Sequence, residues 1–167
     1  MRYLALDLGG KRTGLAVGDD DTFIISPIGR VEHANETHFI EQLPKVIREH
    51  EPDAIVVGLP LNMDGTEGPQ AKKVIALAKL IEQQTKLAVH LFDERLTSFE
   101  ADGMMGPMEL TRAGKKLRRD ALAAVTILRD FMSHAERAKN QSECEQDDQE
   151  KYGEQKRKDE HECDGGE

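Results

Sequence analysis

The sequence predicts an α/β domain built on a mixed sheet flanked by helices. Three observations carry this. A strand-rich opening gives way to alternating strand and helix patterns. One run, residues 53–58 (DAIVVG), is apolar almost throughout, as suits a parallel strand buried on both faces. Helical spacing of apolar residues recurs in residues 36–50, 69–84 and 118–132.

The elements follow in order. Residues 3–8 form a short buried strand with Leu4, Leu6 and Leu8 on one face and Tyr3, Ala5 and Asp7 on the other. A Gly-Lys-Arg turn leads to a second strand at 13–18. A third is expected within 22–31, bent or interrupted by Pro27 and Gly29. The helix of 36–50 has Asn35 as its cap and presents Phe39, Ile40, Leu43, Val46 and Ile47, with Pro44 expected to kink it. Pro69 suits the first position of the next helix, whose inward residues are Val74, Leu77, Ala78 and Ile81. Residues 87–92 form another strand, 96–105 a helix, 106–117 a loop with a basic end, and 118–132 the last helix.

The chain has 167 residues, enough for one domain with a sizeable core. We place that domain at residues 1–132. Large apolar side chains then almost vanish, so residues 133–167 are expected to form an acidic, disordered tail. No apolar run approaches membrane-spanning length and the first residues do not resemble a signal peptide, so the expected compartment is the cytoplasm. Cys144 and Cys163 make no disulfide framework, and His161 beside Cys163 makes a weak metal site at best. Net charge is −9, which argues against a general polyanion binder. Residues 136–167 hold 12 acidic and 6 basic residues, however, leaving 17 basic and 20 acidic in residues 1–135. The body is nearly balanced, and a local basic patch could meet a phosphate backbone.

Asp7 is the first chemical anomaly. Aspartate is disfavoured in a buried strand, and a buried carboxylate is costly unless paired or bound to a metal. The bland reading is a strand-end Asp that caps its own turn. Gly9 and Gly10 let backbone approach a ligand, and Lys11 and Arg12 add two cations within five residues. Asp93-Glu94-Arg95 follows a strand, where ligands gather in open α/β sheets. The two carboxylates should do different work, one facing the site and the other pairing with Arg95 or capping a helix; the residues alone do not say which. Asp120 shares a stripe with Ala123, Ala124 and Ile127, and alanines let the helix lie close to the sheet. An exposed Asp at a helix start would instead serve only the helix dipole.

Three carboxylates from separate segments suit one or two Mg²⁺ ions acting on a phosphodiester. Arg112, Lys115, Lys116, Arg118 and Arg119 precede Asp120 and could bind a backbone, or could be a solvated basic loop. The stretch from Gly58 to Gly68, with Asn62, Asp64 and Thr66, is either a substrate-binding loop or a plain connector.

Four ordered segments resemble a known family. ALDLGGKRTGLAVGD, VVGLPLNMDGTEGPQA, DERLTS and DALAAVTIL are similar to the YqgF family, the Holliday-junction-resolvase-like pre-16S ribosomal RNA nucleases, over roughly residues 3–132. The resemblance implies a ribonuclease-H-like fold and a nuclease dependent on Mg²⁺, or Mn²⁺ in its place. It implies a role at the 5′ end of 16S rRNA precursors in a bacterial cytoplasm. Carried over by motif, the catalytic and metal-binding residues are Asp7, Glu94 and Asp120. Lys11, Arg12, Asn62, Asp64, Thr66, Arg95, Lys115 and Lys116 are the candidate substrate contacts. Arg118-Arg119 departs from the family's apolar residue before the aspartate, and the acidic tail lies outside its pattern. The expected partner is precursor rRNA, alone or within a pre-ribosomal subunit, with no membrane and a monomeric or homodimeric state. Three other readings stay open: a junction resolvase acting on structured DNA, which a dimer would favour, a phosphate-binding module, and a non-catalytic assembly factor.

Overall fold

The computed structural model describes residues 1–93, 95 and 121–137. Five strands and three helices are seen among them. They are β1 (Arg2–Leu8), β2 (Arg12–Asp19), β3 (Ile25–Glu32), α1 (Glu36–His50), β4 (Ala54–Leu59), α2 (Pro69–Thr85), β5 (Ala88–Asp93) and α3 (121–137). The chain divides into two units, Met1–Met132 and Ser133–Glu167. Of the second, the structure describes only residues 133–137, which are helical. The predicted helix at 96–105 and the basic loop after it lie outside the described residues.

The strands form one sheet in the order β3-β2-β1-β4-β5. β1, β2 and β3 are antiparallel neighbours, whereas β4 and β5 run parallel to β1. The sheet is therefore mixed, as expected. β4 is buried from Ala54 to Gly58, the environment its unbroken apolar run requires.

Strand alternation sorts the side chains into two cores. Leu4, Leu6, Leu15, Ile55 and Val57 pack with Phe39 and Leu43 of α1 and Val74, Leu77 and Ile81 of α2. Tyr3, Ala5, Ala16, Ala54, Val56 and Phe92 pack on the other face with Ala124, Val125, Ile127, Leu128 and Met132 of α3. That second face is small at Ala5, Ala16 and Ala54, so α3 lies close there. A Cβ added to Gly18 would come within 3.0 Å of Leu128 Cδ2. Phe131 sets its ring edge-on to Tyr3 and Phe92, with centroids 5.3 and 6.0 Å away.

Two local features involve prolines. The third strand begins at Ile25 and holds both Pro27 and Gly29. It tolerates them because it is a sheet edge and bulges there: Leu15 faces Gly29 while Ala16 faces Pro27. α1 continues through Pro44. Pro44 is exposed, so water can satisfy the carbonyl one turn earlier that loses its partner. Asn35 caps this helix as predicted, accepting from the His38 amide at 2.9 Å.

Candidate active site

Asp7 ends the central strand. Its neighbour across the hairpin is Gly14, and Leu8 faces Thr13. The chain reverses through Gly9 to Arg12, closed by the Gly9 amide donating to the Arg12 carbonyl at 2.9 Å. The turn is tight enough that a Cβ on Gly9 would sit 2.6 Å from that carbonyl oxygen. Asp7 is half-buried and shares the face of Tyr3 and Ala5, against which α3 packs. Lys11 is exposed on the turn and Arg12 is half-buried, its Nε 3.9 Å from Glu32.

Parallel pairing brings the ends of β1, β4 and β5 together. The β1–β4 register runs to Leu6↔Val57, and the β4–β5 register runs on to Leu59↔Asp93. Phe92 belongs to the α3-side core, so alternation turns Asp93 to the opposite face from Asp7. There Asp93 binds Arg95, accepting from Nη2 at 2.6 Å and from the Arg95 amide at 3.0 Å. The guanidinium holds the Asp93 carboxyl below the usual carboxylate range. Glu94 and Asp120 lie outside the described residues, as do Lys115 and Lys116.

The Leu59–Pro69 connection is internally bonded. The Gly65 amide donates to the Asn62 carbonyl at 2.8 Å, with Gly65 at a φ of 87° that favours glycine. The Thr66 hydroxyl donates to Asp64 at 2.7 Å and accepts from the Asn62 side-chain amide at 2.9 Å. Those Thr66 bonds, more than the nearby Arg95 charge, lower the Asp64 pKa. Arg95 also donates to the Met63 carbonyl at 3.3 Å, tying this loop to the end of β5. Asn62, Asp64 and Thr66 are thus brought together, and Arg95 joins them.

A second acidic group was not singled out in the sequence. Asp19, Asp20 and Asp21 offer ligand atoms within 4.8 Å of one another, a spacing compatible with a divalent cation. Its signal was three successive aspartates, but in a loop these read as ordinary turn formers. Arg2 pairs with Asp19, so this group stands at the other end of β1, ~17 Å along the strand from Asp7. It is also occupied: Asp20 pairs with the chain's amino terminus, and Asp19 accepts from the amides of Asp21 and Thr22. Sequence reasoning also missed the buried pair of His33 Nε2 and Thr13 Oγ1, 3.1 Å apart, because a lone histidine after a strand carries no signal.

The sheet order β3-β2-β1-β4-β5, antiparallel on one side of β1 and parallel on the other, with helices on both faces, defines a ribonuclease-H-like fold. Solved structures agree on the fold. Thermus thermophilus RuvC is similar with a TM-score of 0.53 at 13% identity, covering 81% of this chain and 97% of that one. A fowlpox virus resolvase solved with Holliday junction DNA is similar with a TM-score of 0.51 at 13% identity, covering 81% of this chain and 99% of that one. The chain belongs to the RuvX family, described as Holliday junction resolvase, whose model matches residues 1–134. Its curated relatives include a protein of Anaeromyxobacter sp. strain Fw109-5, named as a pre-16S rRNA nuclease. It is 40% identical over 132 residues, 79% of this chain and 96% of the relative. One of the same name from Clostridium botulinum strain Hall is 36% identical over 132 residues, again 79% of this chain and 96% of the relative. The chain is accordingly a hydrolase of phosphodiester bonds, and no helix among the described residues is long and apolar enough to cross a membrane.

Proposed function

We propose that this protein processes the 5′ end of precursor 16S rRNA in the cytoplasm, with Asp7, Glu94 and Asp120 as its metal-binding carboxylates. The observation that carries the reading is Asp7, a half-buried carboxylate ending the central strand beside a glycine turn that bears Lys11 and Arg12. The names of the relatives supply the substrate.

The donor set suits a hard cation. Asp7 stands at the end of β1 with no cysteine or histidine beside it in the sequence, and Glu94 and Asp120 add two more oxygen donors. Such a set favours Mg²⁺, or Mn²⁺, one or two ions, over zinc. When bound, such ions supply an activated water and neutralise charge growing on the phosphate. The chain's own residues position the strand. Lys11 and Arg12 meet the backbone beside Asp7, and Lys115 and Lys116 meet it before Asp120. Asn62, Asp64, Thr66 and Arg95 hold a preformed loop against which the strand is aligned.

The test offers the full chain two substrates with Mg²⁺: a 5′-extended 16S precursor, free or within a pre-ribosomal subunit, and a four-way DNA junction. Cleavage of the precursor, abolished by chelation, is expected. A cut junction with an intact precursor would replace this reading with a resolvase.

A further inference from the structure

A cavity of about 400 Å³ lies on the sheet face opposite Asp7, within the size range of small-molecule sites. Leu8, Val74 and Leu77 form an apolar wall, and Gly9 and Gly10 of the Asp7 turn form its rim. Three observations make it more than a gap. α2 opens into it with Gly68 as a cap that has no side-chain bond, followed by Pro69, so the first-turn amides of Gln70 and Ala71 are left for a ligand. Lys73, one turn further, also lines it. His33 lines it too, only 8% exposed, and its Nδ1 has no hydrogen-bond partner while Nε2 is held by Thr13. A buried polar atom left unpaired is costly, so a ligand that meets it has something to gain.

We propose that this cavity takes one nucleotide unit of the substrate strand, its base on the Leu8–Val74–Leu77 wall and its phosphate at the start of α2 beside Lys73. The inference rests on the nuclease reading for the identity of the strand. Gly9 and Gly10 belong both to the Asp7 turn and to the cavity rim, so a strand crossing the sheet end at Asp7 passes directly over the opening. Glu36, also at the cavity, only accepts and so can take an exocyclic amine, which favours adenine, guanine or cytosine over uracil. Lys73 and Glu36 are exposed, so both can be changed without disturbing the core.

Amide NMR titration of the full chain without added metal reads binding and not cleavage, so its outcome is separate from that of the nuclease assay. AMP, CMP and UMP are titrated in turn, with inorganic phosphate as a comparison and a short single-stranded RNA as a second arm. AMP and CMP should shift the amides of Gly9, Gly10, His33 and Gln70 but not those of Asp19–Asp21, and UMP should bind more weakly. Lys73→Ala should weaken AMP about tenfold, the loss of one charged hydrogen bond, and Glu36→Gln should narrow the preference over UMP. The RNA should move the same amides at lower concentration. An unmoved His33 amide, or phosphate reproducing the AMP shifts, would overturn the base pocket. Mononucleotide shifts that the RNA does not reproduce would overturn the strand assignment and leave a free-nucleotide site.

Discussion

Arg95 closes on Asp93, its Nε and Nη2 both donating to the carboxylate, while its Nη1 reaches the Met63 carbonyl. One guanidinium therefore joins the end of β5 to the loop after β4. The pair occupies Asp93, which faces away from Asp7, and leaves the metal role proposed for Glu94 uncontested by its neighbour. Asp93→Asn should loosen the loop, raising KM severalfold with kcat within about threefold. Glu94→Gln should lower kcat by more than the ~100-fold that loss of an outer-shell partner costs a metal site. Steady-state cleavage of both variants distinguishes the two roles.

The loop's own bonds give a second expectation. Thr66→Val removes a hydroxyl that both accepts from Asn62 and donates to Asp64. These groups are exposed and can turn to water, so the cost should be about 0.5–1.5 kcal/mol. Hydrogen exchange at the Gly65 and Thr66 amides should quicken while the amides of β4 stay protected. Unchanged exchange in the loop would mean that its order comes from elsewhere.

Neighbouring glycines in the Asp7 turn should behave differently. A Cβ on Gly9 meets backbone at 2.6 Å, whereas one on Gly10 meets nothing within 4 Å. Gly9→Ala must displace the turn, costing about 1–3 kcal/mol and reducing cleavage through Lys11 and Arg12. Gly10→Ala should melt like the parent. Thermal melts and cleavage assays of the pair check this.

His33 sets an acid-side slope in stability. Burial is the main cause that lowers its pKa from 6.5. Its folded pKa is below the unfolded one, so in the window between them the unfolded chain binds more protons. Stability is then full above the unfolded value and declines as pH falls from about 7 into the mildly acid range. His33→Gln should flatten that part of the curve in denaturant titrations. A slope that survives the substitution would assign it to another group.

Much of the fold was legible because alternation and helical spacing are strong signals here. The Leu4-Leu6-Leu8 face, the buried run of β4 and the α2 stripe Val74-Leu77-Ala78-Ile81 were each read as they occur. The third strand was read as bent at Pro27 and Gly29, but its limits were not, since only pairing reveals that the bend is a bulge at a sheet edge. That α1 runs on through Pro44 was not legible either, since it depends on which side of the helix the proline faces, a tertiary fact. Within the candidate site, Asp7 stood out because a carboxylate interrupts an apolar strand. The division between Asp93 and Glu94 did not, because it depends on which of two successive residues continues the pleat. The His33 cavity left no trace, being assembled from residues far apart in the chain.

The central claim is that Asp7 acts with Glu94 and Asp120 on a phosphodiester. The most direct measurement compares the parent chain with Asp7→Asn and Asp120→Asn in Mg²⁺-dependent cleavage of a 5′-extended 16S precursor, after melts have shown that all three are folded. We predict that the parent cleaves and that both variants lose at least about 100-fold in rate, as when a group stabilising transition-state charge is removed. Cleavage by folded Asp7→Asn at the parent's rate would contradict the account.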